Sequence, residues 1–275
     1  YLNSNTKPLW KEGSDLAMNN LGYEGIETQA INGLGVHKLS IDNNIIKLSA
    51  YKKLFDEAFP GKSVEERYSN ESAGLAIAAY IRTILSNEAP FQKYLKGDLN
   101  ALTEIEKSGA LLYFGKAQCN QCHTGPALNT MQFKAIGLGD LVDCPEPTLK
   151  TTQNDPINLG RGGFTQNQDE YYAFKAPQLY NLKDAGFYGH GSSKRSVRDM
   201  ISYKNNAIAE NSKVPSSKLD PLFKPLGLTN KEIDALTIFI TNSLFDPNLR
   251  RYEPQQLPSG LCFPNADIQS RIDMD

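Results

Sequence analysis

Cys119-Asn120-Gln121-Cys122-His123 has the spacing C-x-x-C-H, the signal for covalent attachment of a c-type haem. Two thiols one helical turn apart can each add to one vinyl group of the same porphyrin. The next residue, His123, is then held beneath the ring with an imidazole nitrogen directed at the iron. The preceding stretch, Leu102 to Gly115, reads as a helix, so the motif lies on or just beyond a helical C-terminus. A structural zinc site needs a second close pair of Cys or His ligands, and the remaining cysteines and histidines are not closely paired. A thioredoxin-like pair follows a buried strand, and no strand pattern precedes Cys119.

Outward from the motif, the sequence describes a mainly α protein. Apolar residues at 48, 51, 54, 55 and 58 give Ile45 to Phe59 the pattern of an amphipathic helix, ended by Pro60-Gly61. Glu71 to Ser86 is nearly continuously apolar, which suggests a helix buried on more than one side. Thr103 with Glu106 and Thr229 with Glu232 form capping-box pairs ahead of two further helices, the second carrying Ile233, Leu236, Phe239, Ile240 and Leu244. Ser196 to about Ala207 is also helical in pattern. Residues 1–40 read as loop with short helical pieces. Gly125 to about Lys194 is irregular, and the tail from Asp246 carries four prolines. The polar connector Asn87 to Asn100 suggests a boundary, giving domains at 1–97 and 98–250 and a surface tail at 251–275.

The 275 residues have a net charge of -2, which gives no reason to expect nucleic acid as a partner. No apolar run approaches the roughly 20 residues needed to span a bilayer. The chain begins at Tyr1 rather than at an initiator Met, so a processed or incompletely covered product is expected, with any targeting segment upstream. Attachment of c-type haem implies an extracytoplasmic, disulfide-permissive compartment, the periplasm. A Cys144–Cys262 bridge and two unrelated cysteines are both compatible with the spacing.

Four stretches resemble the bacterial di-haem cytochrome c peroxidases and their MauG-like relatives. They are Ala76 to Thr83 with Pro90 to Asp98; Gly109 to His123; Phe174 to Leu182 with Phe187-Tyr188-Gly189-His190-Gly191; and Val197 to Lys204 followed by the helix at 229–244. Only the haem motif is specific by itself, and it is the order of the set that carries the resemblance. It implies two cytochrome c-like haem domains. The C-terminal one holds an electron-accepting haem on Cys119 and Cys122. The N-terminal one, incomplete in this chain, holds the haem where peroxide reacts, with its own attachment motif upstream of residue 1.

The resemblance also suggests site residues. His123 is the proximal ligand. The family's distal Met or Tyr falls on the helix that offers Met200, Tyr203 and Lys204: Tyr203 is nearest with a one-residue slip, Lys204 takes the ungapped position, and Met200 lies one turn earlier. Tyr203 is the expected iron ligand, with Met200 next. A thioether suits electron transfer, whereas a phenolate stabilises higher oxidation states. His190 corresponds to a residue near the haem propionates that does not bind iron. Glu27-Thr28-Gln29-Ala30 resembles the family's Glu-x-Gln-Ala, which places Gln29 above the upstream haem. The family's catalytic Glu is missing from Gly35-Val36-His37-Lys38-Leu39, and His37 has a pKa suited to the same proton transfer. Trp10 is the candidate electron relay between haems, against simple core packing. A calcium ion held by backbone carbonyls near Ala185 and Phe187 is compatible with the sequence.

The resemblance implies reduction of hydrogen peroxide with electrons from a small cytochrome c or a cupredoxin, with a homodimer as a frequent family state. A MauG-like enzyme that oxidises a residue of a partner protein is the second reading. A non-enzymatic electron-transfer subunit is the third.

Overall fold

The computed structural model describes residues 23, 25–41, 46–130, 132–144 and 151–260. These fall into two compact units, one containing residues 23–85 and 250–260 and the other residues 86–249. The chain passes from one to the other between Leu85 and Ser86, earlier than the expected boundary at residue 97. The reason lies in the connector. Its polar sequence contains a short helix (Pro90–Leu95) whose Phe91 is buried in the core of the second unit. The tail is not a free surface segment: Arg251 donates to the Leu85 carbonyl at 2.9 Å, within the first unit.

In the first unit, α1 (Ile26–Val36) packs against α4 (Asn70–Ile81). The expectation of mostly loop before residue 40 missed α1, whose Gly33 and Gly35 lower helix propensity while Ala30 and Leu34 are buried. The approach is close. A Cβ on Gly74 would meet Ile31 side-chain and backbone atoms at 2.4–2.9 Å, so only a glycine fits there. Between the pair lie α2 (Ser49–Ala58) and α3 (Val64–Arg67), the latter begun by a Ser63–Glu66 capping box. Arg67 pairs with Asp56 at 2.8 Å and donates to the Phe59 and Lys62 carbonyls. This ties α2, α3 and the turn at Pro60-Gly61 together. The near-continuous apolar stretch of α4 is buried on one side only. Ser72, Ala73, Gly74 and Ala78 are covered, whereas Ile77, Tyr80 and Ile81 are exposed.

The second unit is built on α6 (Glu104–Phe114), α8 (Val197–Asn206) and α9 (Asn230–Ile238), with α5 being Pro90–Leu95 and α7 Arg161–Thr165. Both expected capping boxes form. The end of α9 runs into a π-helical turn, Phe239–Ser243, which places Phe239 at the centre of an aromatic cluster. Its ring meets Phe91 edge-on at 5.2 Å and Tyr113 at 5.6 Å between centroids. Tyr113, Leu236, Phe239 and Leu244 are almost wholly buried. A Cβ on Gly109 would lie 2.3 Å from the Ala235 carbonyl oxygen, so this glycine sets how closely α6 and α9 approach. Arg198 pairs with Asp234 at 2.7 Å between α8 and α9.

Residues 125–194 are largely irregular, as expected, and are ordered by hydrogen bonds. Their regular sheet is a two-residue antiparallel ladder, β1 (Phe133–Lys134) on β2 (Phe174–Lys175), in the register Phe133 opposite Lys175. Buried Asp246 accepts from the Glu88 and Asn248 amides. Asn181 exchanges two hydrogen bonds with the Asp246 backbone. Among the described residues no helix is long and apolar enough to cross a membrane.

Candidate haem site

The C-x-x-C-H stretch begins where α6 ends. Gln118 takes a left-handed backbone conformation (φ 52°) and starts a 3-10 turn over Cys119–Gln121. The His123 amide closes the turn on the Cys119 carbonyl at 2.9 Å. Both thiols are thereby presented on a compact loop rather than along a regular helix. The Tyr113 hydroxyl donates to the His123 carbonyl at 2.5 Å, and the Thr130 hydroxyl to the Cys122 carbonyl at 3.0 Å. The motif's backbone is thus anchored from the helix before it and from the loop after it.

His123 Nδ1 lies 2.8 Å from the Pro177 carbonyl oxygen. A carbonyl can only accept, so Nδ1 carries the proton and Nε2 is left with its lone pair. This second contact is how ligating imidazoles are oriented. Burial holds the ring below the ordinary histidine pKa, partly offset by the Pro177 contact, which favours the neutral form that a metal requires. Burial also pushes the Cys119 thiol up to about 12, and raises Cys122. Both are therefore neutral thiols in this apolar setting rather than exposed thiolates.

Cys119, Cys122 and His123 face one cavity that opens to solvent. Its apolar walls come from α8, α9 and the loops before and after α8, including Leu179, Val197, Ile201, Leu226, Leu236 and Ile240. The donor set and the apolar lining both fit a covalently attached haem c. His123 would be the axial ligand and the two cysteines the thioether bridges. Among the described residues no group of three or more His, Cys, Asp or Glu side chains stands ready for a bare metal ion.

On the cavity face of α8 the expectations need correcting. Met200 and Lys204 line the cavity, but Tyr203 does not. Tyr203 is buried on another face of the helix. Its hydroxyl donates to the Ile136 carbonyl at 2.5 Å, and its ring packs on Phe223 and beneath the Lys194 amine. Successive helical residues point about 100° apart, and it is Lys204, in the ungapped position of the resemblance, rather than Tyr203 that meets the cavity. Burial lowers the pKa of the Lys204 amine.

His190 is also absent from the cavity lining. It stacks on Phe174 with centroids 4.0 Å apart, and its Nε2 is buried without a hydrogen-bond partner. At the neighbouring Gly191 a Cβ would sit 2.4 Å from the Asp140 carbonyl oxygen.

Gln29 and His37 belong to the first unit. Gln29 is exposed on α1, and His37 is exposed at its C-terminal cap, its amide donating to the Gly33 carbonyl. Glu27, in the same stretch, forms an ion pair with Arg82. Trp10 and Cys262 lie outside the described residues, and with them the electron-relay reading and the Cys144–Cys262 bridge. Sequence reasoning missed the Pro177 carbonyl. Lys175-Ala176-Pro177 carried the one available signal, because it sits in a resembling stretch, but a backbone acceptor leaves no mark in residue type.

The family model described as di-haem cytochrome c peroxidase matches residues 24–100. Cytochrome-c peroxidase IdrP1 of Pseudomonas sp. (strain SCT) is 29% identical over 214 residues, covering 70% of this chain and 52% of that protein. The methylamine utilization protein MauG of Methylophilus methylotrophus is 30% identical over 206 residues, covering 73% and 54% respectively. A solved structure of a MauG-like protein associated with microbial copper homeostasis superposes with a TM-score of 0.66 at 25% identity, covering 84% of this chain and 71% of that one. The chain thus spans about half the length of the curated relatives it matches.

Proposed function

We propose that this chain, which belongs to the family of di-haem cytochrome c peroxidases and MauG proteins, acts in a periplasmic enzyme that reduces hydrogen peroxide to water. Electrons come from a small cytochrome c or a cupredoxin. One observation carries the reading: Cys119, Cys122 and His123 converge on one apolar cavity, with His123 Nδ1 already committed to Pro177.

A bound haem c supplies one-electron iron redox chemistry. The chain's own residues do the rest. Cys119 and Cys122 would hold the group as thioethers, each thiol adding its S–H across one vinyl double bond, which would fix its orientation and remove two ionisable groups from the cavity. His123 offers Nε2, and Pro177 keeps its ring from rotating. Leu236, Ile240 and Val197 exclude water, which lowers the local dielectric and so strengthens every charge interaction inside.

In this reading residues 86–249 take in electrons and the first unit is the remainder of the peroxidatic domain. The exposed apolar residues Ile77, Tyr80 and Ile81 of α4 support a further part of that domain packing there. Gln29 and His37 would serve its peroxide pocket, with His37 moving the proton between the two oxygens. The MauG-like alternative draws on Tyr203 as an iron ligand and on the missing catalytic Glu; the packing of Tyr203 on Phe223 and Ile136 speaks against the first of these supports.

The test uses the full-length protein. A pyridine haemochrome assay counts haems, EPR of the oxidised protein reports spin states, and peroxide consumption is followed with a reduced small cytochrome as donor. Two covalent haems, one of them high-spin, and donor oxidation dependent on peroxide are expected. A single low-spin haem unresponsive to peroxide would sink the proposal.

A further inference from the structure

Lys204 projects from α8 into the same cavity as the two thiols and His123. Its side chain is partly buried and opens onto the cavity, where desolvation disfavours its charge. No hydrogen bond or ion pair of this side chain is found among the described residues. Its amine lies 5.7 Å from the centroid of the Phe223 ring. Asp220, a carboxylate that influences it, is already engaged by Lys134 at 3.0 Å and by the Leu222 amide at 2.9 Å. Once a haem fills this cavity, an ammonium facing it without a partner is costly, and such groups are either paired or bound to a metal.

We propose that Lys204 Nζ is the sixth ligand of the iron whose proximal ligand is His123. This assignment rests on the haem reading above. The competing donors on α8 are dealt with by their own packing. Tyr203 is committed to Ile136. Met200 lines the cavity, with its terminal methyl bordering Gly189, but a thioether is content in apolar packing with no ligand role. Lysine is different, because leaving its amine unbound in that wall carries the desolvation cost that coordination removes.

A haem propionate is the other partner a buried lysine could find. Position argues against it. Lys204 lines the same cavity as Cys119, Cys122 and His123. The thiols mark the vinyl edge of the macrocycle, and propionates leave from the opposite edge. An amine that shares the cavity with both thiols and the proximal imidazole is placed toward the vinyl side, away from the carboxylates. The consequence is a haem with two nitrogen ligands, filled on both faces and suited to passing electrons rather than to binding peroxide.

The experiment compares full-length holoprotein with Lys204→Ala, Lys204→Met, Met200→Leu and Tyr203→Phe. The pyridine haemochrome assay should give the same covalent haem content for all five, because each keeps Cys119, Cys122 and His123. EPR and absorption spectra of the oxidised proteins then read the ligand. Lys204→Ala should convert one low-spin iron to high-spin, and added methylamine should restore the low-spin signal. Lys204→Met should introduce a sulfur-to-iron charge-transfer band and raise that haem's reduction potential, since thioether ligation does so. Met200→Leu and Tyr203→Phe should leave the signal unchanged. A low-spin signal that survives in both Lys204 variants, or that is lost in Met200→Leu, overturns the assignment while leaving the haem reading intact. Absence of covalent haem on the peptide containing Cys119 and Cys122 overturns both.

Discussion

The two units handle chemistry-bearing residues in opposite ways. In residues 86–249, side chains and carbonyls from four separate stretches converge: Cys119, Cys122 and His123, the Pro177 carbonyl, Met200 and Lys204 of α8, and Leu236 of α9 with Ile240 of the π-helical turn after it. In residues 23–85, Gln29 and His37 sit on the exposed surface of one helix, and the tightest packing is the plain contact of α1 with α4 through Gly74. The difference shows what a haem half-site requires. The attachment motif is local, but the pocket that makes it useful is assembled from residues far apart in sequence. Helix packing alone, as in the first unit, builds a scaffold without convergent donors.

The largest expected effect tests whether the second unit's convergence is about haem at all. Replacing both Cys119 and Cys122 by Ser should abolish covalent haem on this part of the chain, read as loss of haem staining for the corresponding fragment on a denaturing gel. Retained staining there would break the comparison. Next, Phe239→Ala removes the centre of the aromatic cluster shared by Phe91 and Tyr113. It should cost about 3–5 kcal/mol in denaturant unfolding of the second unit. A loss below about 1 kcal/mol would mean that the pocket's back wall relaxes around the gap.

The first unit is probed by Gly74→Ala, which forces a Cβ into Ile31. A destabilisation of about 1–3 kcal/mol is expected, read as faster amide exchange in α1 and α4 with the haem spectrum of the second unit unchanged. A change in that spectrum would show that the units are not independent. The smallest effect concerns acid stability. Lys116 and the Thr229 amide hold the Glu232 carboxyl down to about 2, from 4.5. A depressed carboxylate contributes stability above its unfolded pKa, and that contribution is lost as pH falls from 4.5 through 2. Glu232→Gln should flatten the stability of the second unit over that window. An unchanged pH slope would place the acid sensitivity elsewhere.

Much of the scaffold was legible before any coordinates. The capping pairs at Thr103/Glu106 and Thr229/Glu232 mark helix starts because their hydrogen bonds are made within four residues. Apolar periodicity located α2, α8 and α9 for a similarly local reason. Local rules failed at α1, where Gly33 and Gly35 argue against a helix that burial of Ala30 and Leu34 on α4 stabilises. They also failed at Asn87–Asn100, whose polar composition conceals Phe91. The start of α4 was readable, but the helix ends at Ile81 rather than at the expected Ser86, and its environment was not readable: the apolar run is the same whether one face is covered or two.

By itself the sequence pointed to haem attachment and to its place, because the signal is two thiols and a histidine at a fixed short spacing. It also determined most helix positions, since caps and periodicity act over one or two turns. The tertiary structure alone decided which residue of α8 faces the His123 cavity. Helix rotation about its axis is set by packing against Phe223, Ile136 and α9, and a turn of about 100° exchanges Tyr203 for Lys204. The same holds for Pro177, whose carbonyl reaches His123 across 54 residues of sequence through an irregular loop that no periodicity describes.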